Sequence, residues 1–350
     1  GNTVILFMGI SLVLAVLLLF FVKPAVAVMS TPAEAVSGTA AYLTICFLGI
    51  PFITAYNVIS SIFRGLGDSK SPMYFIAVAC AVNIILDYLF IGFFHLGASG
   101  AALGTTLSQA CSVLFALIAI KRKQTGLSLS GDCFRPQKKT LSKILNIGIP
   151  VALQDGFIQI AFIIITIIAN RRGLNAAAAV GIVEKIISFL FLIPSSMLST
   201  VSALAAQNIG AGKYDRAKQL RYAMMIAIGF GLVVSILIQF IAAPVVGLFT
   251  ADAAVILLGA QYIRGYIWDC IFAGVHFSFS GYFCACGKSG ISFLHNLIAI
   301  LCVRIPGVYL TSKIFPHTLF PMGLATATGS LLSVIICIIA YRWLCEKSGK

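Results

Sequence analysis

Apolar runs of about 20 residues or more recur from one end of this chain to the other, each long enough to cross a hydrocarbon core of roughly 30 Å as a helix. In lipid the backbone has no water to bond, so a spanning segment must be a helix or part of a closed barrel. The strand-period alternation that marks a barrel is absent. The runs place ten helical spans near residues 3–22, 36–62, 72–91, 98–120, 144–168, 176–206, 222–248, 253–283, 291–312 and 320–344. Several exceed what a perpendicular crossing needs, which implies tilt or extension beyond the membrane. With 60% hydrophobic and 10% charged residues in 350, and a mean hydropathy of +1.05, no soluble domain could bury what this chain carries. The fold class expected is an all-α polytopic membrane protein.

The net charge of +14 would suggest nucleic acid in a soluble protein. Here the basic residues gather in the loops on one side. Arg64 and Lys70, the 121–143 loop, Lys213, Arg216, Lys218 and Arg221, Lys288, and the C-terminal Arg342, Lys347 and Lys350 all fall there. The other side has only Lys23, Arg171, Arg172 and Lys313, while Lys185, Arg264 and Arg304 lie inside spans. This asymmetry puts the 121–143 loop and the C-terminus in the cytoplasm, as expected of a multi-pass protein of the cell (inner) membrane. Membrane lipids are the expected surroundings and nucleic acid is not an expected partner. The ten cysteines are scattered through apolar stretches, Cys284 and Cys286 are too close for a CxxC pair, and no histidine has ligand spacing. Neither a metal site nor a disulfide framework is expected.

An internal repeat organises the chain. Shifted by 220 residues, it lies over itself without a gap for about 60 residues. Gly9/Gly229, Phe20/Phe240, Pro24/Pro244, Tyr42/Tyr262, Phe63/Phe283, Gly67/Gly287 and Ser69/Ser289 coincide, and with a small insertion 100–108 falls on 323–331. Six spans separate the copies, so they share one orientation: a parallel repeat about an axis along the membrane normal. The second copy has six helices and the first four, and the chain opens on Gly. The expectation is that two helices, about 75–90 residues, are missing from the front.

Ionisable groups inside spans are the default functional candidates, because a charge in the membrane is costly unless used or paired. Asn83 and Asp87 are i, i+4 on one helix face. Thr105, on the next span at similar depth, is their expected partner. A carboxylate, an amide carbonyl and a hydroxyl form a hard-oxygen set suited to Na⁺ or to a carboxyl proton. Asn83 and Asp87 could equally glue helices together. The C-terminal half carries three polar stripes: Asp155, Gln159, Thr166 and Asn170; Tyr266, Asp269, His276 and Ser280; and Glu184, Ser188, Ser195, Ser199 and Ser202. Of these, Asp155, Gln159, Glu184, Tyr266, Asp269 and His276 form a possible second cation or substrate site. His276, read as the only span histidine with polar company, is either a proton relay or a packing residue. Pro51, Pro194, Pro244 and Pro306 interrupt helices and would kink them. Met197 and Phe189 could line an adaptable apolar cavity.

SSIFRGLGDSKSPM at 60–73 resembles the loop after the fourth helix of the multidrug and toxic compound extrusion (MATE) family. GIPVALQ at 148–154 is similar to the start of that family's seventh helix, and AQNIGAGKYDRAKQ at 206–219 to the signature after its eighth. The resemblance implies a two-lobe bundle of twelve helices, ten of them present: an N-terminal lobe over 1–120 (the family's helices 3–6), a cytoplasmic linker over 121–143 and a C-terminal lobe over 144–350 (helices 7–12). Asn83, Asp87 and Thr105 match the DinF-like branch residue by residue; its first-helix Asp falls before residue 1. One branch has a Glu eight residues after the seventh-helix proline, where this chain has Ile158, which weighs against a C-lobe sodium site of that type.

Neither HExxH, GxSxG nor a P-loop occurs, so neither an enzyme nor ATP-driven transport by this chain is expected. The resemblance implies a monomeric secondary antiporter without a resident cofactor. It would export lipophilic or cationic small molecules in exchange for H⁺ or Na⁺ by rocking of two lobes. A lipid-linked oligosaccharide flippase of the same superfamily is the alternative. That activity calls for a strongly cationic cavity, and Arg264 and Arg304 are the only intramembrane arginines. A non-transporting receptor or scaffold fits poorly with a two-fold repeat that carries intramembrane carboxylates.

Overall fold

The computed structural model describes residues 1–28, 36–122, 134–213 and 219–347. Part of the basic 121–143 loop, and Arg216, Lys218 and Lys350, lie outside them. The described residues are all-helical apart from turns: α1 Asn2–Phe20, α2 Val22–Val28, α3 Val36–Gly65, α4 Lys70–Asp87, α5 Gly97–Arg122, α6 Lys138–Asn170, α7 Leu174–Leu190, α8 Leu192–Gly210, α9 Gln219–Gly247, α10 Ala253–Tyr266, α11 Asp269–Ala285, α12 Ser289–Ala299, α13 Ile305–Ile314 and α14 Phe320–Lys347. A π-helical stretch, Tyr88–Phe93, continues α4, and another, Ile300–Arg304, joins α12 to α13. Nine of these helices or helix pairs are long and apolar enough to cross a membrane. The tenth expected span, 253–283, is divided at Ile267–Trp268 into α10 and α11.

The prolines act in two ways. Pro51 and Pro244 lie inside continuous helices rather than interrupting them. Pro194 and Pro306 stand in the first turns of α8 and α13, where a missing N–H leaves no bond unmade.

Contacts divide the chain into two compact units, 1–144 and 145–350. In the first, α3 packs on α1 and α5, and α4 on α5. Its centre is Phe63 against Phe75, edge to face at 5.5 Å, with Ile59 and Ala116. In the second, α11 packs on α8, α9 and α14, and α10 on α7, α9 and α14. Lipid tails are as apolar as leucine, so helix association here depends on close packing rather than on water exclusion. Gly265 of α10 and Gly323 of α14 show how close: a Cβ on either would overlap the other helix's backbone. Gly281 of α11 meets the α8 backbone at Leu198 and Ser202 in the same way.

The two glycines that the repeat matches end their helices in the same kind of turn. Gly67 and Gly287 have φ of +87° and +69°, a conformation glycine takes without penalty. The N–H of Asp68 closes on Phe63 O at 2.9 Å and that of Lys288 on Phe283 O at 2.8 Å; Gly67 N–H to Arg64 O and Gly287 N–H to Cys284 O follow the same pattern. These bonds satisfy carbonyls at the helix end. Asp68 then caps α4, accepting from the Ser71 backbone at 3.0 Å and its hydroxyl at 2.6 Å.

Candidate functional site

In the first unit, α4 presents Asn83 and Asp87 on one face, and the Asn83 amide nitrogen lies 3.4 Å from Asp87 Oδ1. Both are half-buried. Asp87 is the last residue of α4, where the helix passes into its π-helical stretch. Such stretches often mark functional positions because they swing a side chain off the regular helical face. The pair lies against Gly104 of α5: a Cβ there would overlap Asp87 Oδ1 and come within 3.4 Å of Asn83 Nδ2. Thr105 is one residue further and exposed; its hydroxyl donates to Ala101 O of its own helix at 3.0 Å. The structure thus brings together Asn83 and Asp87 and sets Gly104, not Thr105, against them. The amide donor leaves the Asn83 carbonyl and the second Asp87 oxygen as acceptors. Among the described residues no lysine or arginine pairs with Asp87.

The second unit distributes its expected site residues over separate places. Asp155 and Gln159 lie exposed on α6. Their neighbour Gln154, the last residue of the GIPVALQ segment, is instead buried and accepts a 2.6 Å bond from Ser292 of α12. Glu184 of α7 is half-buried, and the Thr166 hydroxyl lies 3.4 Å from both its oxygens. Ser188, Ser195 and Ser199 donate to carbonyls of their own helices.

Tyr266 and Asp269 do come together, on either side of the α10–α11 break, and a residue absent from the expected set joins them. Arg304, the last residue of the second π-helical stretch, donates to the Tyr266 hydroxyl at 2.8 Å and lies 3.5 Å from Asp269 Oδ2. Its guanidinium also sits over the rings of Phe162 and Tyr266, at 5.4 and 5.8 Å. Asp269 is in the first turn of α11, where the helix dipole favours a negative charge.

His276 is buried, with no hydrogen-bond partner on Nδ1 among the described residues, its ring 5.7 Å from that of His295. His295 corrects the expectation that His276 alone among the span histidines has polar company. Its Nε2 lies 2.9 Å from Ser280 Oγ and its Nδ1 3.1 Å from Ser333 Oγ. Ser292 and Asn296 beside it were the available sequence signal. Among the described residues no three His, Cys, Asp or Glu side chains group as metal ligands.

The MatE family model matches residues 1–89 and 150–310, well over half of the chain. The chain belongs to the MatE family. Among its MatE relatives, the Probable multidrug resistance protein YpnP of Bacillus subtilis is 30% identical over 342 residues, covering 97% of this chain and 76% of that protein. The Multidrug export protein MepA of Staphylococcus aureus (strain N315) is 29% identical over 338 residues, covering 95% and 74%. The fold matches a MOP superfamily transporter from Pyrococcus furiosus with a TM-score of 0.93 at 21% identity, over 100% of this chain and 79% of that one. It also matches a multidrug resistance MATE family transporter in an outward-facing conformation, with a TM-score of 0.90 at 22% identity, over 99% and 79%. The architecture is therefore the MATE fold, a polytopic bundle of membrane-spanning helices.

Proposed function

We propose that this chain is a cation-coupled multidrug exporter of the DinF-like branch, with Asn83 and Asp87 as its coupling-ion site. The observation that carries the reading is the half-buried Asp87 carboxylate. It is packed on Gly104, touched by one amide and unpaired with any protein cation among the described residues. A carboxylate kept at membrane depth without a partner is poised to exchange one. The names of YpnP and MepA support drug export as the transported activity. The coupling ion is H⁺ or Na⁺, drawn inward by about 2.3 kcal/mol per charge per 100 mV plus any chemical gradient.

The transport cycle is a rocking of two lobes, 1–120 and 144–350, joined by the 121–143 linker, with the protein acting as a monomer in the inner membrane and its C-terminus cytoplasmic. The basic-loop asymmetry supports that orientation. Lipophilic or cationic small molecules are its substrates, and half-buried Glu184 and exposed Asp155 offer them carboxylates. Everted vesicles loaded by a pure Na⁺ gradient, and separately by a pure pH gradient, test the reading with a fluorescent cationic dye. Dye movement driven by one of the gradients and abolished by the matching ionophore is expected. Movement under neither, or movement that requires ATP, would contradict it.

A further inference from the structure

We infer that Arg304 is a tethered cation: it fills the second unit's buried carboxylate site with a charge of the chain's own, so that Asp269, unlike Asp87, exchanges no cation with solution. The two units invite the comparison because the repeat relates the helix carrying Asp87 to the helix carrying Arg304. Each passes through a π-helical stretch, with Asp87 at the start of one and Arg304 at the end of the other. Each charged residue packs on a glycine of the following span, Asp87 on Gly104 and Arg304 on Gly329. The signs are opposite and so is the access: Asp87 is half-buried, Arg304 is 9% exposed and Asp269 0%.

The chemistry around Arg304 is that of an occupied cation site. Its guanidinium donates to the Tyr266 hydroxyl, faces one Asp269 oxygen and lies over two aromatic rings. Among the described residues the buried Tyr262 hydroxyl has no hydrogen-bond partner, and buried Ser330 stands beside Asp269. Without the guanidinium, the Asp269 oxygens and the Tyr266 hydroxyl are hard-oxygen ligands of the kind a small monovalent cation takes. An uncompensated charge in that interior is strongly unfavourable, so a vacated site recruits a replacement. While Arg304 is present, a soluble ion competes with a cation held at very high effective concentration.

The inference extends the one-site reading above, but its test counts bound ions and does not read drug export. ²²Na⁺ binding is measured on the purified protein at alkaline pH, where protons compete least, alongside thermal unfolding. Arg304→Ala is expected to bind one more Na⁺ per chain than the parent protein and to gain thermal stability as Na⁺ replaces choline. Arg304→Lys, which keeps a tethered charge, and Arg304→Ala/Asp269→Asn, which removes the carboxylate, are expected to bind no more than the parent. Should Arg304→Ala not fold, Arg304→Gln gives the same reading with more of the space filled. Arg304→Ala or Arg304→Gln protein that folds and binds no extra Na⁺ would overturn the inference. So would loss of a bound Na⁺ on Asp269→Asn alone, since Asp269 would then be an ion ligand with Arg304 in place. Loss of drug export in Asp87→Asn would bear on the first unit only.

Discussion

Gly104→Ala is the smallest change that reaches the candidate ion site without altering a ligand. The added Cβ would overlap Asp87 Oδ1 and approach Asn83 Nδ2 to 3.4 Å. The Asp87 carboxylate must therefore rotate away, and the 3.4 Å contact with Asn83 is lost with it. A hydrogen bond of this kind is worth about 0.5–1.5 kcal/mol net, and the strain of an off-rotamer carboxylate adds roughly 0.5–1.5 kcal/mol. Together they correspond to a weakening of ion binding by about 5- to 150-fold. The assay is the concentration of coupling ion that gives half-maximal dye efflux. Gly156→Ala serves as control, since a Cβ there meets nothing within 4 Å and alanine favours the helix. An unchanged ion dependence in folded Gly104→Ala would refute the placement of the site against α5.

Asn83→Ala removes a neutral ligand and not the charge, so it is expected to raise the half-maximal ion concentration by about tenfold while leaving maximal efflux in place. Arg172 donates to the carbonyls of Phe315, Pro316 and Thr318, tying the α6–α7 turn to the α13–α14 turn. Its burial lowers the guanidinium's pKa, yet it stays a cation throughout the working range. Arg172→Ala is expected to cost about 1 kcal/mol, allowing for partial exposure, seen as a drop of a few degrees in unfolding temperature. Gly67→Ala and Gly287→Ala force the same left-handed conformation on alanine. Each is expected to cost about 1–2 kcal/mol, and a clear inequality between them in unfolding experiments would count against equivalent turns in the two copies.

The spans were legible because lipid permits so few solutions: a run of apolar residues must satisfy its own backbone, and only a helix does so. The break between Tyr266 and Asp269 was not, because no proline marks it. The close approach of Gly265 to Gly323 accompanies it, and that contact joins segments distant in the chain. The i, i+4 spacing of Asn83 and Asp87 was visible as a shared face. Counting residues from helix ends located α5 opposite them in depth but not in rotation. One residue turns a helix by roughly 100°, the difference between Thr105 and Gly104. The same step separates exposed Asp155 from buried Gln154. Arg304 stood out as an intramembrane arginine, but its partner lies 35 residues away in sequence, beyond the reach of helical periodicity.

If the first unit holds the coupling carboxylate, efflux by Asp87→Asn set against efflux by Asp155→Asn will show it. Both variants are to be checked for expression and membrane insertion, then assayed for dye export under the gradient that drives the parent protein. The amide keeps the size and hydrogen bonding of Asp87 but can neither exchange a proton nor neutralise Na⁺, so Asp87→Asn should lose gradient-driven export entirely. Asp155→Asn should change substrate range or apparent affinity and keep some gradient-driven efflux. Parent-level export by Asp87→Asn together with lost coupling in Asp155→Asn would place the ion site in the second unit and contradict the claim.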